Sequence, residues 1–332
     1  MSIPNPPDKT VPYTVANDPV AGALFLYGDA NASKIVLLCG GYADDHSIFQ
    51  DFASKLADEN FCLAGVMCLP GYDDRPERPW TSHNKGGYTF DEMTNAVRSA
   101  AKSLREASEN KKAEFTVIFH DWGVLPGSRF VNRIIKEENS DIKPAKVVHF
   151  DVLLSPHPDT KDIPKAQKPT FYETFITLFY RVVFSIAFLL QRDVANIVAL
   201  MFFFPCVIFM GIFKLGPVKK HDDEIFEKFP KDFSRILYMA YPYYTMMRDY
   251  FSGVKDSEAT LHTDLKGTPV LYMSGLDKRV QFHDYRSLKL LEREESEGRS
   301  KCKVINLTDA GHYLFIQKEK KCLDAVKDFM LD

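Results

Sequence analysis

The chain has 332 residues, enough for one large domain or two moderate ones, and 42 Lys and Arg against 45 Asp and Glu give a net charge of −3. That balance excludes a basic nucleic-acid footprint, and 45% hydrophobic with 26% charged residues excludes a disordered or fibrous chain. Aromatic usage is lopsided, with 26 Phe against 2 Trp and ten of the Phe inside 171–213, so the surplus has a local cause.

The opening residues, MSIPNPPDKT, carry neither a basic nor an apolar signal region, so an intracellular, cytoplasmic chain is expected. Apolar runs at 12–15 and 23–27 can form an antiparallel edge. Runs at 35–39, 62–68, 115–120, 147–154, 270–273 and 304–307 have the length of fully buried strands. Helical patterns at 47–57, 90–107, 124–136, 283–295 and 313–330 alternate with them. Such alternation predicts an α/β fold with a mostly parallel sheet covered by helices on both faces. It stops after residue 154 and resumes near 267. The expected organisation is therefore a core of residues 1–156 and 252–332, interrupted by a helical, Phe-rich cap at 157–251.

Within that cap, 194–213 carries no charge, and 174–191 carries only Arg181. Twenty apolar residues are long enough to cross a bilayer as a helix, although Pro205 breaks the run. Two readings stand: the cap lines an apolar pocket, or it also contacts a membrane surface. The six cysteines (39, 62, 68, 206, 302 and 322) have no metal or redox spacing and read as reduced, mostly buried thiols.

Chemistry concentrates at His120-Asp121-Trp122-Gly123, which joins a strand run to a helical pattern. A side chain on such a turn projects from the carboxyl end of the sheet beside helix amide groups. Asp121 is a candidate nucleophile there; alone, it reads equally as a helix N-cap. Asp277 follows the run ending at 273, and His312 follows the last strand run, in Asp309-Ala310-Gly311-His312-Tyr313. Nucleophile, acid and base thus occur in the chain order of α/β-hydrolases. After the first parallel strand, Gly40-Gly41-Tyr42-Ala43 allows close backbone approach, and the amides of Tyr42 and Trp122 form a candidate oxyanion hole.

These motifs, with Pro156-His157-Pro158, resemble the epoxide hydrolases of the α/β-hydrolase superfamily, whose haloalkane dehalogenase relatives share much of the pattern. The resemblance runs from about residue 35 to 330. It implies an α/β-hydrolase fold with an inserted cap, and conversion of an apolar epoxide to a vicinal diol through an Asp121 ester hydrolysed by water that His312 activates. It implies catalytic roles for Asp121, Asp277 and His312, and ring-opening roles for the cap tyrosines Tyr180 and Tyr244. Epoxide and water are the only partners implied, without metal or organic cofactor. The chain departs from the family pattern at Phe119, where a small residue usually precedes the nucleophile by two. The alternatives are a haloalkane dehalogenase, or a non-catalytic membrane or binding protein on the same fold.

Overall fold

The computed structural model describes residues 6–15, 18, 21–213, 228, 230–254 and 256–332. Eight strands form a single sheet: β1 (Lys9–Tyr13), β2 (Gly22–Gly28), β3 (Lys34–Cys39), β4 (Leu63–Met67), β5 (Glu114–His120), β6 (Lys146–Phe150), β7 (Val270–Gly275) and β8 (Lys303–Leu307), in the order β1-β2-β4-β3-β5-β6-β7-β8. The β1–β2 and β2–β4 pairs are antiparallel and the others parallel. The expected mostly parallel sheet with an antiparallel edge is thus present.

Alternate side chains of each strand feed two cores, because successive residues point to opposite faces. On one face Val36, Leu38, Ile118 and Phe150 pack with Phe49 and Phe52 of α1 (Ser47–Ala57). On the other, Ile35, Leu37, Val117 and Phe119 pack with Met93 and Val97 of α2 (Phe90–Ala107) and with Phe130 of α3 (Val124–Ile134). Thr89 and Glu92 close a capping box at the start of α2, satisfying amides that the first turn leaves open. All six cysteines are free thiols and five are buried.

Between β6 and β7 lie α4 (Phe171–Asp193), α5 (Asn196–Ile212), α6 (Phe233–Met239) and α7 (Tyr241–Phe251). Helix α4 packs against α5, α6 and α7. The run at 194–213 does not break at Pro205, which lies inside α5; the interruption falls earlier, where Ala195, in an extended conformation, caps α5. Helix α8 (Tyr285–Ser296) follows β7. The final helical pattern is divided at Lys318 into α9 (Leu314–Gln317) and α10 (Glu319–Leu331).

The bulky Phe119 is accommodated on α3. A Cβ at Gly127 would lie 2.6 Å from three atoms of the Phe119 ring, so the space normally left by a small strand residue is supplied by a helix residue instead. Gly127→Ala is therefore expected to lower stability by about 1–3 kcal/mol. In a Phe119→Ala background the same change should be nearly neutral. A double-mutant cycle in urea measures this coupling, and additive effects would contradict it.

Candidate active site

Strand β5 ends at His120, a short 3-10 turn spans Asp121–Gly123, and α3 begins at Val124. Asp121 has φ 47°, in the left-handed region that non-glycine residues seldom occupy. Gly123 makes this sharp turn feasible: a Cβ there would stand 2.5 Å from the carbonyl oxygens of Cys39 and Gly40. The loop after β3 closes on the same carboxylate. The Tyr42 amide N–H donates to Asp121 Oδ2 at 2.7 Å. Gly41 is confined between them, since its Cβ would lie 2.6 Å from Asp121 Oδ2 and 2.3 Å from the Trp122 nitrogen. Both proposed oxyanion amides thus border the Asp121 carboxylate.

His312 is brought in by the loop after β8. Its Nε2 lies 3.6 Å from Asp121 Oδ1, which is too long for a hydrogen bond but close enough for charges to interact. Its Nδ1 lies 2.6 Å from Oδ2 of Asp151. Asp151 is fully buried at the end of β6, with φ 65°. Its other oxygen accepts from the Gly275 amide at 3.1 Å and pairs with the buried ammonium of Lys278.

Burial opposes ionisation of all three groups, but charge pairing overrides it. For Asp151, the Lys278 ammonium and His312 outweigh desolvation and hold the carboxyl down at about 2. For Asp121, desolvation is outweighed by His312, His120 and the Tyr42 amide, which lower its pKa. For His312, burial would lower the value, yet Asp121 and Asp151 raise it to about 9, so the unliganded site holds an imidazolium at neutral pH.

Asp121 opens onto a cavity of about 1170 Å³, bordered also by Trp122, Leu125, Tyr180, Tyr243 and Phe282. Compared by sequence, the chain matches no protein-family model and no curated protein. Compared by structure, it superimposes on potato (Solanum tuberosum) epoxide hydrolase I with a TM-score of 0.55 at 13% identity, covering 97% of this chain and 99% of that one. A haloalkane dehalogenase variant from Bradyrhizobium elkanii gives 0.62 at 15% identity, covering 97% and 96%. A 1H-3-hydroxy-4-oxoquinoline 2,4-dioxygenase gives 0.59 at 12% identity, covering 97% and 99%. The chain has the α/β-hydrolase fold.

Within this fold the expected acid is corrected. Asp277 does not pair with His312; its amide N–H donates to the Ala310 carbonyl at 2.8 Å, and Asp151 holds the position against the imidazole. The reason lies in the chain path. Beyond β7 the loop sends Lys278, rather than Asp277, inward to neutralise Asp151. Asp151 was hidden because it sits within an apolar run, with Val147, Val148 and Phe150 before it and Val152 to Leu154 after it. Its signal was a single charge interrupting that run at the carboxyl end of a strand.

The tyrosine pair is corrected at one position. Tyr180 lines the cavity as expected, but its neighbour there is Tyr243 rather than Tyr244. The Tyr243 ring centroid is 4.8 Å from that of Trp122 and 5.9 Å from that of Tyr180. One residue along a helix is about 100° around it, and Tyr244 instead stacks near Phe188 with the Arg192 guanidinium 4.9 Å from its ring centroid. Asp44 was also missed. It accepts from the Gly41 amide at 3.0 Å and from Tyr313 Oη at 3.1 Å, and its Oδ2 lies 3.3 Å from His120 Nδ1, fixing the loop beside Asp121. Among the described residues no cluster of three or more His, Cys, Asp or Glu side chains has the arrangement of a metal site.

Because the folded pKa of His312 lies above its ordinary 6.5, its contribution to stability is complete below about pH 6.5 and is lost as pH rises through about 9. Urea unfolding across that interval should show stability falling with pH. Asp151→Asn should flatten the fall, whereas Asp277→Asn should retain it. Equal slopes in the two variants would contradict the assignment of Asp151.

Proposed function

We propose that the protein hydrolyses a bulky, apolar epoxide to a vicinal diol. The observation that carries this reading is the carboxylate Asp121 on a nucleophile elbow, facing a cavity that Tyr180 and Tyr243 line, with the His312–Asp151 pair behind it. A carboxylate attacks an sp3 carbon without first losing a proton. In the first step an Asp121 oxygen bonds to one epoxide carbon and the carbon–oxygen ring bond breaks. The ring oxygen takes a proton from Tyr180 or Tyr243. Burial raises the pKa of both hydroxyls, so both are protonated at neutral pH and available as donors.

Ester formation removes the charge of Asp121, and with it one of the two carboxylates that raise the His312 pKa. The imidazolium then passes its proton to the tyrosinate and becomes the neutral base that the second step needs. His312 takes a proton from water as the oxygen attacks the ester carbonyl. The Tyr42 and Trp122 amides stabilise the charge that develops on the carbonyl oxygen. Collapse releases the diol, the departing oxygen keeping a proton from the attacking water, and Asp121 and the imidazolium are restored.

The size of the cavity and its lining by Leu125, Val152, Leu154, Met246 and Phe282 support a large apolar substrate over a small polar one. Trp122 on the cavity wall favours one second reading, haloalkane dehalogenation with the indole N–H donated to the departing halide. Diol formation from aromatic, aliphatic and fatty epoxides distinguishes the two. We expect diol product, abolished in Asp121→Asn and slowed about 10²–10⁴-fold in Tyr180→Phe/Tyr243→Phe, with Tyr244→Phe close to wild type. Halide release from haloalkanes without diol formation would overturn the epoxide reading.

A further inference from the structure

The Phe-rich half of the cap places only part of its apolar side chains in the core. On α4, Phe171 is 86% exposed, and on α5 Met201 and Ile212 are each 69% exposed. Ile197, Met201, Phe204 and Ile208 are all exposed and recur at helical spacing, so they form an outward stripe. A chain of ring contacts joins the two helices: Phe171 to Phe175 at 6.4 Å, Phe175 to Phe179 at 5.9 Å, Phe179 to Phe209 at 6.1 Å and Phe209 to Phe213 at 4.5 Å. A soluble monomer rarely leaves so continuous an apolar surface in water.

We propose that this face docks on one leaflet of a lipid bilayer containing anionic lipid. Three observations favour a bilayer over a protein partner. First, from Ile197 to the end of α5 no exposed residue carries a polar side chain, whereas protein interfaces carry about one hydrogen bond per 100–200 Å². Second, two exposed cations, Lys165 and Lys168, stand just before α4, between Asp162 and Glu173. Basic side chains beside an inserted apolar face are drawn to anionic headgroups. Third, the face is continuous with the mouth of the catalytic cavity, since Leu178, Lys165 and Lys168 border that cavity while exposed to solvent.

Helix α4 has a mean hydropathy of 1.7 over an 18-residue window and is long and apolar enough to cross a membrane. Its inner side prevents it. Ile176, Val183, Ala187 and Phe188 are buried, and α4 packs on α6 and α7. Crossing would strip these contacts, so docking is one-sided. An apolar substrate dissolved in the leaflet would then meet the cavity at its rim.

The test is sedimentation of the full chain with vesicles of phosphatidylcholine alone and with phosphatidylserine added. Wild type should bind both, with stronger binding to the anionic vesicles. Met201→Glu/Ile208→Glu should weaken binding to both by more than about tenfold while melting as wild type does, because both positions are exposed. Lys165→Glu/Lys168→Glu should lose only the anionic preference. As a second readout, Met201→Trp should give blue-shifted emission on adding vesicles. Absence of wild-type binding, an emission spectrum of the Met201→Trp variant that vesicles leave unshifted, or a dimer that Met201→Glu/Ile208→Glu dissociates would each overturn the proposal. Asp121→Asn should bind vesicles normally, so loss of the hydrolase reading and loss of docking are separable.

Discussion

One buried anion organises the site. Asp151 has no exposure to water, and an isolated carboxylate there would be penalised by several kcal/mol. It is tolerated because one oxygen meets the Lys278 ammonium and the Gly275 amide while the other meets His312 Nδ1. Those partners come from three places: the end of β7, the loop beyond it and the loop after β8. Satisfying one charge therefore fixes how three strand ends sit relative to one another. It also sets the imidazole with Nε2 facing Asp121.

The same electrostatics ties the resting site to its chemistry. His312 lies between two carboxylates, Asp151 accepting at Nδ1 and Asp121 facing Nε2, and both stabilise its positive charge. Neutralising Asp121 relaxes that hold while leaving Asp151 and Lys278 in place. The loop after β3 is positioned by a parallel device. Asp44 gathers the Gly41 amide, the Tyr313 hydroxyl and His120, and the neighbouring Tyr42 amide is thereby aimed at Asp121 Oδ2. Close approach rather than side-chain chemistry decides the residue type at Gly41 and Gly123, where added carbons would collide with backbone or with the Asp121 carboxylate.

Features governed by local pattern were legible in the sequence. Seven of the eight strands, the elbow at Asp121 and the loop carrying His312 follow from apolar runs bounded by turns; β1, at Lys9–Tyr13, begins three residues before the run at 12–15 and is mostly exposed. Features governed by chain path were not. Asp277 and Asp151 both follow parallel strands, and only the tertiary route of the β7 loop decides that the latter meets His312. Tyr243 and Tyr244 are adjacent, and the rotation of α7 selects between them. Phe119 departs from the pattern of the resembling family, yet its counterpart at Gly127 lies eight residues away on another element. Pro205 suggested a break, but α5 runs through it with Pro205 exposed.

The cap joins two properties that composition alone could not separate, because the inner sides of α4 and α7 line a cavity while the outer sides of α4 and α5 remain bare. Covalent catalysis by Asp121 is tested most directly by single-turnover reaction with an epoxide in ¹⁸O-labelled water. Mass analysis of the Asp121 peptide should find label in its carboxylate after turnover by wild type, and His312→Gln should accumulate the alkyl ester on the same peptide. Diol formed with label only in the product, and no adduct in His312→Gln, would contradict the account.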